Sequence, residues 1–417
     1  MQNSKIICGI DIGTSKITTV IGQYFNEESK LNIIAVSSSQ PFGFRKGQII
    51  DPQKATNSIE ESIESAERMA GIEINKISVS ITAPYIETIN TKGVIAINNP
   101  NNEIDQNDVN RVIEAAKNTS IPPGKEIIHC IPRKYFVDGQ EDIINPIGMN
   151  GNHLEIEAHL ILASSPALKN IQKCFQDLDI DIDKIIFSGL ASSQAVVTET
   201  DKELGVALID IGGTNTTLTI FLEGSPFYST VIPIGGNNIT NDLAIGLRLP
   251  LLDAEKIKHR LDQIVTSKKF EDEVDLHQLG LDTNIENKKI SLHMTVNGII
   301  KPRLEEIFSI LRQKIEESQQ INSIPAGIVL TGGGSLTIDS KEICSQIIPL
   351  PLRLASPPQV NGLVDEITNP AHSSTIGLLM YLIENTQPKN KKGPKTNPLT
   401  FNNFFTKIKS FLDPLLP

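Results

Sequence analysis

The sequence predicts a duplicated α/β fold with a small α+β subdomain inserted into its first half and a C-terminal amphipathic helix. Three observations carry that prediction. The phrase GIDIGTSKITTVIG at 9–22 returns as LIDIGGTNTTLTIF at 208–221, so that Asp11 re-appears as Asp210. Strand-like and helix-like stretches alternate through both halves, the pattern of an α/β layer built twice. Between 85 and 163 the texture changes to short strand-like runs around one helix, and the chain closes on FNNFFTKIKSFLDPLLP, where apolar and basic residues segregate.

Each copy of the phrase reads as strand, acidic glycine turn, strand; in the first these are 6–12 and 17–22 about Gly13–Lys16, with a further strand at 31–37. DPQKATNSIEESIESAERMAG is a helix with both ends marked. Asp51 caps it, Pro52 takes the first helical position and Gly71 closes it, with Ala55, Ile59, Ile63, Ala66 and Met69 on one face. Alternation at 77–81 predicts a strand. In the insert, Val94–Ile97, Ile127–Ile131, Lys134–Val137 and Leu154–Leu162 are strand-like around a helix near Asp105–Lys117.

The main fold resumes with a helix in SSPALKNIQKCFQDLDI, with Leu168, Ile171, Cys174, Phe175 and Leu178 inward, then a strand at 184–188 and a helix near 190–200. Residues 250–320 are polar and mostly helical, with amphipathic stretches at 253–265 and 302–317. AGIVLTGGGSLT at 326–337 is a buried strand running into a glycine loop, and the last body helix is 373–384. NTQPKNKKGPKTNP at 385–398 holds no core-forming residues and reads as a linker. The expected divisions are 1–84 (completed by 164–203 and 356–384), 85–163, 204–249 (completed by 322–355), 250–321, a linker 385–400 and a helix 401–417.

A formal net charge of −11 over 417 residues, with 39% hydrophobic and 21% charged, is that of a soluble chain of several domains. It speaks against nucleic-acid binding, which wants a basic face. The end of the chain is opposite in sign: Lys389, Lys391, Lys392, Lys395, Lys407 and Lys409 face only Asp413. Cys8, Cys130, Cys174 and Cys344 lack metal-ligand spacing and read as reduced thiols. MQNSKIICGID is no signal peptide, and no uncharged apolar run approaches the ~18–20 residues of a membrane span, so the body is expected in the cytosol. The histidines form no motif.

An Asp between two isoleucines needs a partner, because burying an unpaired carboxylate costs several kcal/mol. Gly13, Thr14, Ser15 and Lys16 in the first turn, and Gly212, Gly213, Thr214 and Asn215 in the second, converge backbone N–H groups and small hydroxyls into an anion-binding concavity. Glycine lets the backbone approach a phosphate closely. The carboxylates of Asp11 and Asp210 would face a divalent cation or its waters. Gly332, Gly333, Gly334 and Ser335 end a third apolar strand in bare backbone suited to adenine and ribose, and Gly236 joins the candidate nucleotide residues. One such turn is a plain β-hairpin; two facing copies and a third glycine loop describe a nucleotide cleft.

In the order of these motifs the chain resembles the actin/Hsp70/sugar-kinase superfamily, which implies an actin-like (RNase H-like) fold. Within it the chain is similar to the bacterial cell-division family FtsA over essentially its whole length. The most specific pieces are IIFSGLASSQAVVTETDKELGVALIDIGG at 185–213, GIVLTGGGSL at 327–336 and HSSTIGLLMYL at 372–382. The resemblance implies ATP and Mg2+ as ligands, self-association into protofilaments through 85–163, and docking of later division proteins there. It implies a water-orienting role for Gln194, which with Asp11 and Asp210 makes the catalytic candidates, although Gln194 also reads as an ordinary surface amide. Glu255 and Lys258 match positions that reach adenosine, although an i,i+3 pair also describes a solvated helix face. The helix KPRLEEIFSIL at 301–311 matches one that faces the C-terminal peptide of FtsZ, which marks Arg303 and Glu306 as partner candidates; the same two residues also read as a surface salt pair.

The chain departs from the family at its second turn. The usual Asp-Ile-Gly-Gly-Gly-Thr-x-Asp is here Asp210-Ile-Gly-Gly-Thr214-Asn215-Thr216-Thr217. Losing the closing acid removes a group that positions metal or water, so the expectation is ATP binding with slow turnover at most.

In the closing segment Phe401, Phe404, Phe405, Ile408, Phe411 and Leu412 fall on one helical face, with Lys407 and Lys409 away from it. A helix of about 20 Å is too short for a ~30 Å hydrocarbon core and suits the interface of an anionic membrane surface. Docking on its own body is the alternative. The combined reading is an ATP-binding, polymerising protein that anchors FtsZ filaments to the cytoplasmic face of the cell membrane at the division site. The rival readings are a PilM-like pilus-assembly module and a small-metabolite kinase of the same superfamily.

Overall fold

A computed structural model describes residues 4–25, 30–99, 101–266, 273–276, 289–362 and 367–385. The linker and tail-helix expectations, with Phe401, Phe404, Phe405, Lys407, Ile408, Lys409, Phe411 and Leu412, lie outside the described residues.

The repeated phrase builds the same unit twice. In the first half Ser4–Ile12 runs antiparallel to Ile17–Phe25, placing Asp11 opposite Thr18. On its other side it runs parallel to Lys76–Ile81, which pairs in turn with Asp181–Phe187. Lys30–Ser39 and the short Asn361–Gly362 complete this six-stranded sheet. In the second half Val206–Ile211 runs antiparallel to Thr216–Leu222, with Asp210 opposite Thr217, and parallel to Ile328–Thr331. Ser225–Ile232 and Leu352–Leu354 form the edges of this five-stranded sheet. Each acidic strand is therefore central, and each acid sits at its C-terminal end, where open α/β sheets place their ligands. The central strands are apolar on both faces because helices cover both sides; Ile328–Thr331 is buried throughout.

Helix Pro52–Ala70 covers the first sheet. Asp51 Oδ1 accepts the Lys54 N–H at 3.2 Å, and Gly71 closes the helix at φ 65°. Ala55, Ile59, Ile63 and Ala66 are buried as expected, but Met69 is 51% exposed. Ser58 and Ser62 take the buried flank instead; the Ser62 and Thr19 hydroxyls lie 2.8 Å apart, a bond that draws this side of the helix onto the sheet.

The helix expected near 190–200 is two. Ser188–Val196 stops where Val197 turns extended, and Thr198 and Asp201 form a capping box for Glu199–Leu204. The last helix, Ser373–Glu384, crosses the first of these so closely that a Cβ on Gly377 would lie 1.9 Å from the Ala191 carbonyl oxygen.

The insert is a sheet of Glu87–Ala96, His153–Ser164, Lys125–Val137 and Gln140–Ile143, packed against helix Gln106–Lys117. It has its own core, which includes Ile104, Val112, Leu154 and Ile156. The runs 127–131 and 134–137 are one strand rather than two, because a register shift passes over Arg133 and absorbs Pro132 as a bulge. In the second half, helices Leu251–Thr266 and Lys301–Glu317 extend the expected stretches, and Leu304, Ile307, Phe308 and Leu311 are buried. A small hairpin, Glu273–Asp275 with Lys289–Ser291, and a π-helical turn, Val296–Ile300, lie between them. Among the described residues no helix is long and apolar enough to cross a membrane.

Candidate functional site

The two acidic turns face each other across a cavity of about 580 Å³, lined from below by Gly332, Gly333 and Gly334. In the first turn a Cβ on Gly13 would lie 2.5 Å from the Lys16 carbonyl oxygen. In the second, the Gly212 N–H donates to the Asn215 carbonyl at 2.9 Å. A Cβ on Gly213 would sit 2.9 Å from Ser15 Cβ, so the second turn is pressed against the first. The contact is bonded as well: the Thr214 N–H donates to Thr14 Oγ1 at 2.8 Å. Gly332, at φ 87°, leaves no room for a Cβ beside Asp210 Oδ1.

The two carboxylates have hydroxyl partners. Asp11 Oδ2 accepts from Ser374 Oγ, and Asp210 Oδ2 accepts from Ser192 Oγ. Burial raises both above the ordinary Asp range; for Asp210, burial and the Asp11 charge outweigh the Ser192 bond and hold it at about 6. Among the described residues no Lys or Arg forms an ion pair with either. Two acids raised by desolvation, at the strand ends of a polar cavity, fit a hydrated divalent cation. Among the described residues the buried Thr214 Oγ1 and Asn215 Oδ1 have no hydrogen-bond partner; Asn215 lines the cavity and Thr214 stands just outside the lining, a hydroxyl that could donate to a phosphate oxygen and an amide oxygen that could accept from bound water.

Beyond the glycine loop, Lys258 is 6% exposed and donates to Glu255 Oε2 at 2.7 Å and to Thr240 Oγ1 at 2.9 Å. Burial alone would raise Glu255, but His259, Lys258 and Thr240 together pull it down to about 2. The pair is therefore part of the cavity wall rather than a solvated surface pair.

Asp11, Gly13, Thr14, Ser15, Lys16, Asp210, Gly212, Gly213, Asn215, Gly236, Glu255 and Gly332–Gly334 all line this cavity. Ser335 is buried behind it, its hydroxyl donating to the Gly332 carbonyl at 2.7 Å. Gln194 is half-buried on its helix and outside the lining; the residues of that helix that reach the site are Ser188, in the lining, and Ser192, on Asp210. Ser374 and His372, which approach from the last helix and the turn before it, belong to HSSTIGLLMYL at 372–382, a stretch that carries the resemblance but no phosphate or metal motif of its own. Away from the cavity, Arg303 clasps Asp242 with Nε at 2.6 Å and Nη2 at 3.0 Å, and also bonds Glu306.

The domain family described as "SHS2 domain inserted in FTSA" matches residues 84–162, and "Cell division protein FtsA" matches 207–377. The cell division protein FtsA of Pseudomonas aeruginosa is 35% identical over 91% of this chain and 90% of its own length. That of Borreliella burgdorferi is 36% identical over 98% of each. The chain belongs to the FtsA family of cell-division proteins. The FtsA of Bacillus subtilis is 34% identical over 94% of this chain.

The FtsA fold has wider company. A PilM–PilN type IV pilus biogenesis complex aligns with TM-score 0.64 at 15% identity, over 92% of this chain and 99% of that one. MreB5 of Spiroplasma citri bound to ADP aligns with TM-score 0.51 at 14% identity, over 91% and 99%. At those identities the likeness is one of fold, which is actin-like. FtsA membership makes this a division protein rather than the pilus module or the kinase that the sequence alone left open.

Proposed function

We propose that this FtsA-family chain binds ATP with Mg2+ between its two glycine turns, polymerises, and anchors FtsZ filaments to the cytoplasmic face of the cell membrane at the division site. The observation that carries the nucleotide part is the contact of Gly213 and Thr214 with Thr14 and Ser15, which brings two anion-binding turns and two carboxylates to one cavity. The ADP-bound and AMPPNP-bound MreB5 structures share the fold and support a nucleotide there. The turn N–H groups and the Thr14 and Ser15 hydroxyls would hold phosphate oxygens, Asp11 and Asp210 would hold the waters of Mg2+, and Glu255 would meet the ribose. The cation would supply neutralisation of the phosphate charge.

Turnover is slow on this reading. Thr217 stands where a third acid would position water, and Gln194 is kept from the cavity unless its helix shifts. ATP acts instead as a ligand that closes the cleft and favours contacts between subunits, which we assign to 85–163. Arg303 and Glu306 are the contact for the FtsZ C-terminal peptide, and later division proteins dock on the insert. Phe401, Phe404, Phe405, Ile408, Phe411 and Leu412 enter the headgroup layer, with Lys407 and Lys409 toward anionic lipid. Many weak tails on one filament bind far more tightly than one.

Co-sedimentation with anionic phosphatidylglycerol vesicles tests this. The full chain should pellet with vesicles, and more of it with MgATP, while a chain ending at Glu384 stays in solution. Equal behaviour of the two would remove the anchoring role.

A further inference from the structure

Lys16 closes the first glycine turn and lines the cavity, yet among the described residues its ammonium makes no ion-pair contact with a carboxylate, and the Asp11 charge acts on it only through space. Nζ lies 2.9 Å from Nε2 and 3.3 Å from Nδ1 of His372. His372 is 9% exposed and belongs to the short turn Pro370–His372 that leads into the last helix. Its backbone is held on both sides. The His372 N–H donates to the Asn369 carbonyl at 3.1 Å, the Ser373 hydroxyl lies 2.6 Å from Thr331 Oγ1, and Ser374 is bonded to Asp11. The segment that carries the imidazole is thus tied to the strand ends that lead into the first acidic turn and the glycine loop.

We propose that His372 is the positioning residue for Lys16, a neutral acceptor that holds the ammonium at the cavity wall where it meets the phosphate chain of a bound nucleotide. The assignment rests on the nucleotide reading above. Its logic is one of charge. A carboxylate in this place would fix the lysine equally well but neutralise it, and a phosphate would then have to break an ion pair. An imidazole fixes it and leaves the charge unspent. Burial lowers His372 to about 4 and Lys16 to about 8, so near neutral pH the ring is uncharged and the ammonium is poorly solvated. Asp11 supplies the one opposing influence on Lys16, through space. An incoming phosphate replaces the lost hydration and gains a charge-assisted bond already aimed at it.

The test is the affinity of the full chain for MgATP, by calorimetry, in the wild type, His372→Phe, His372→Gln, Lys16→Met and the double variant Lys16→Met/His372→Phe. His372→Ala serves as a second acceptor-free variant should phenylalanine not fit, and ligand-free melts check the fold. His372→Phe and Lys16→Met should each weaken binding about tenfold. The double variant should bind no more weakly than Lys16→Met alone, and His372→Gln, which keeps an acceptor, should recover most of the loss. A purely structural histidine would give losses that multiply. Wild-type affinity in His372→Phe and His372→Ala, or multiplying losses, overturns the assignment while leaving the nucleotide reading intact. A wild type that takes up no MgATP overturns both.

Discussion

The Thr214 N–H donates to Thr14 Oγ1 at 2.8 Å, joining the two repeated turns one position out of register. The duplication is thus a contact as well as a pattern. A phosphate bound between the turns, as proposed, would compete with Thr14 Oγ1 for that N–H, and the Thr14 hydroxyl could then donate to it. The exchange conserves hydrogen bonds, so the two halves can close on a ligand without leaving a buried group unpaired.

The raised carboxylate of Asp210 makes the ligand-free protein pH-sensitive. Its folded value of about 6 lies above the ordinary Asp value of 3.8, so the folded state holds the proton more tightly. Stability from this group is therefore full below about pH 4 and is lost as pH rises through about 6. Asp210→Asn should raise ligand-free stability more at pH 7.5 than at pH 4.5, by roughly 2 kcal/mol. Melts at the two pH values read the difference, and the same variant should lose Mg2+-dependent nucleotide binding. A variant less stable than wild type at pH 7.5 would show the acid to be held by a partner after all.

Arg303 is already occupied, because Asp242 takes two of its N–H groups and Glu306 a third. The terminal carboxylate of the proposed peptide would have to compete with these two side chains. Arg303→Ala should weaken the FtsZ C-terminal peptide at least about fivefold, at a stability loss of about 1 kcal/mol for a part-exposed pair. Asp242→Asn should strengthen the peptide a few-fold. Fluorescence anisotropy with labelled peptide distinguishes the cases. Equal weakening by both substitutions would reduce the Arg303 clasp to a structural tie between two helices.

Gly377 lies where the last helix crosses Ser188–Val196. Its added Cβ would come within 1.9 Å of a backbone oxygen that cannot move aside, so Gly377→Ala should cost about 3 kcal/mol in denaturant unfolding. Gly9 offers the contrast. Its Cβ would meet Leu378 Cδ2 at 2.8 Å, a side-chain end free to change rotamer, and Gly9→Ala should cost about 1 kcal/mol. Equal losses would mean that the crossing yields.

What the sequence disclosed follows from how locally each feature is made. Helix Pro52–Ala70 was legible to the residue because Asp51, Pro52 and Gly71 each impose their own backbone geometry. The break at Val197 was hidden, since Thr198 and Asp201 read as easily inside a helix as at its start. Pro132 looked like a strand end because the bulge that absorbs it depends on its partner strand. The glycine turns were legible for the same reason as the helix caps. Ser374 and His372 reach them from more than 350 residues away in the chain, and neither residue type announces such a contact. The clasp of Arg303 on Asp242 likewise depends on how two helices pack.

The central claim is that the two touching turns hold a nucleotide, and the most direct measurement is calorimetric binding of MgATP to the wild type and Gly213→Val. Valine at 213 drives side-chain atoms into Ser15 and Thr14 while the core strands behind it stay in place. About one MgATP should bind per wild-type chain, with a loss of affinity beyond tenfold in the variant and ligand-free melting shifted by only a few degrees. A wild type that binds no nucleotide, or a Gly213→Val chain that binds it equally well, would contradict that claim.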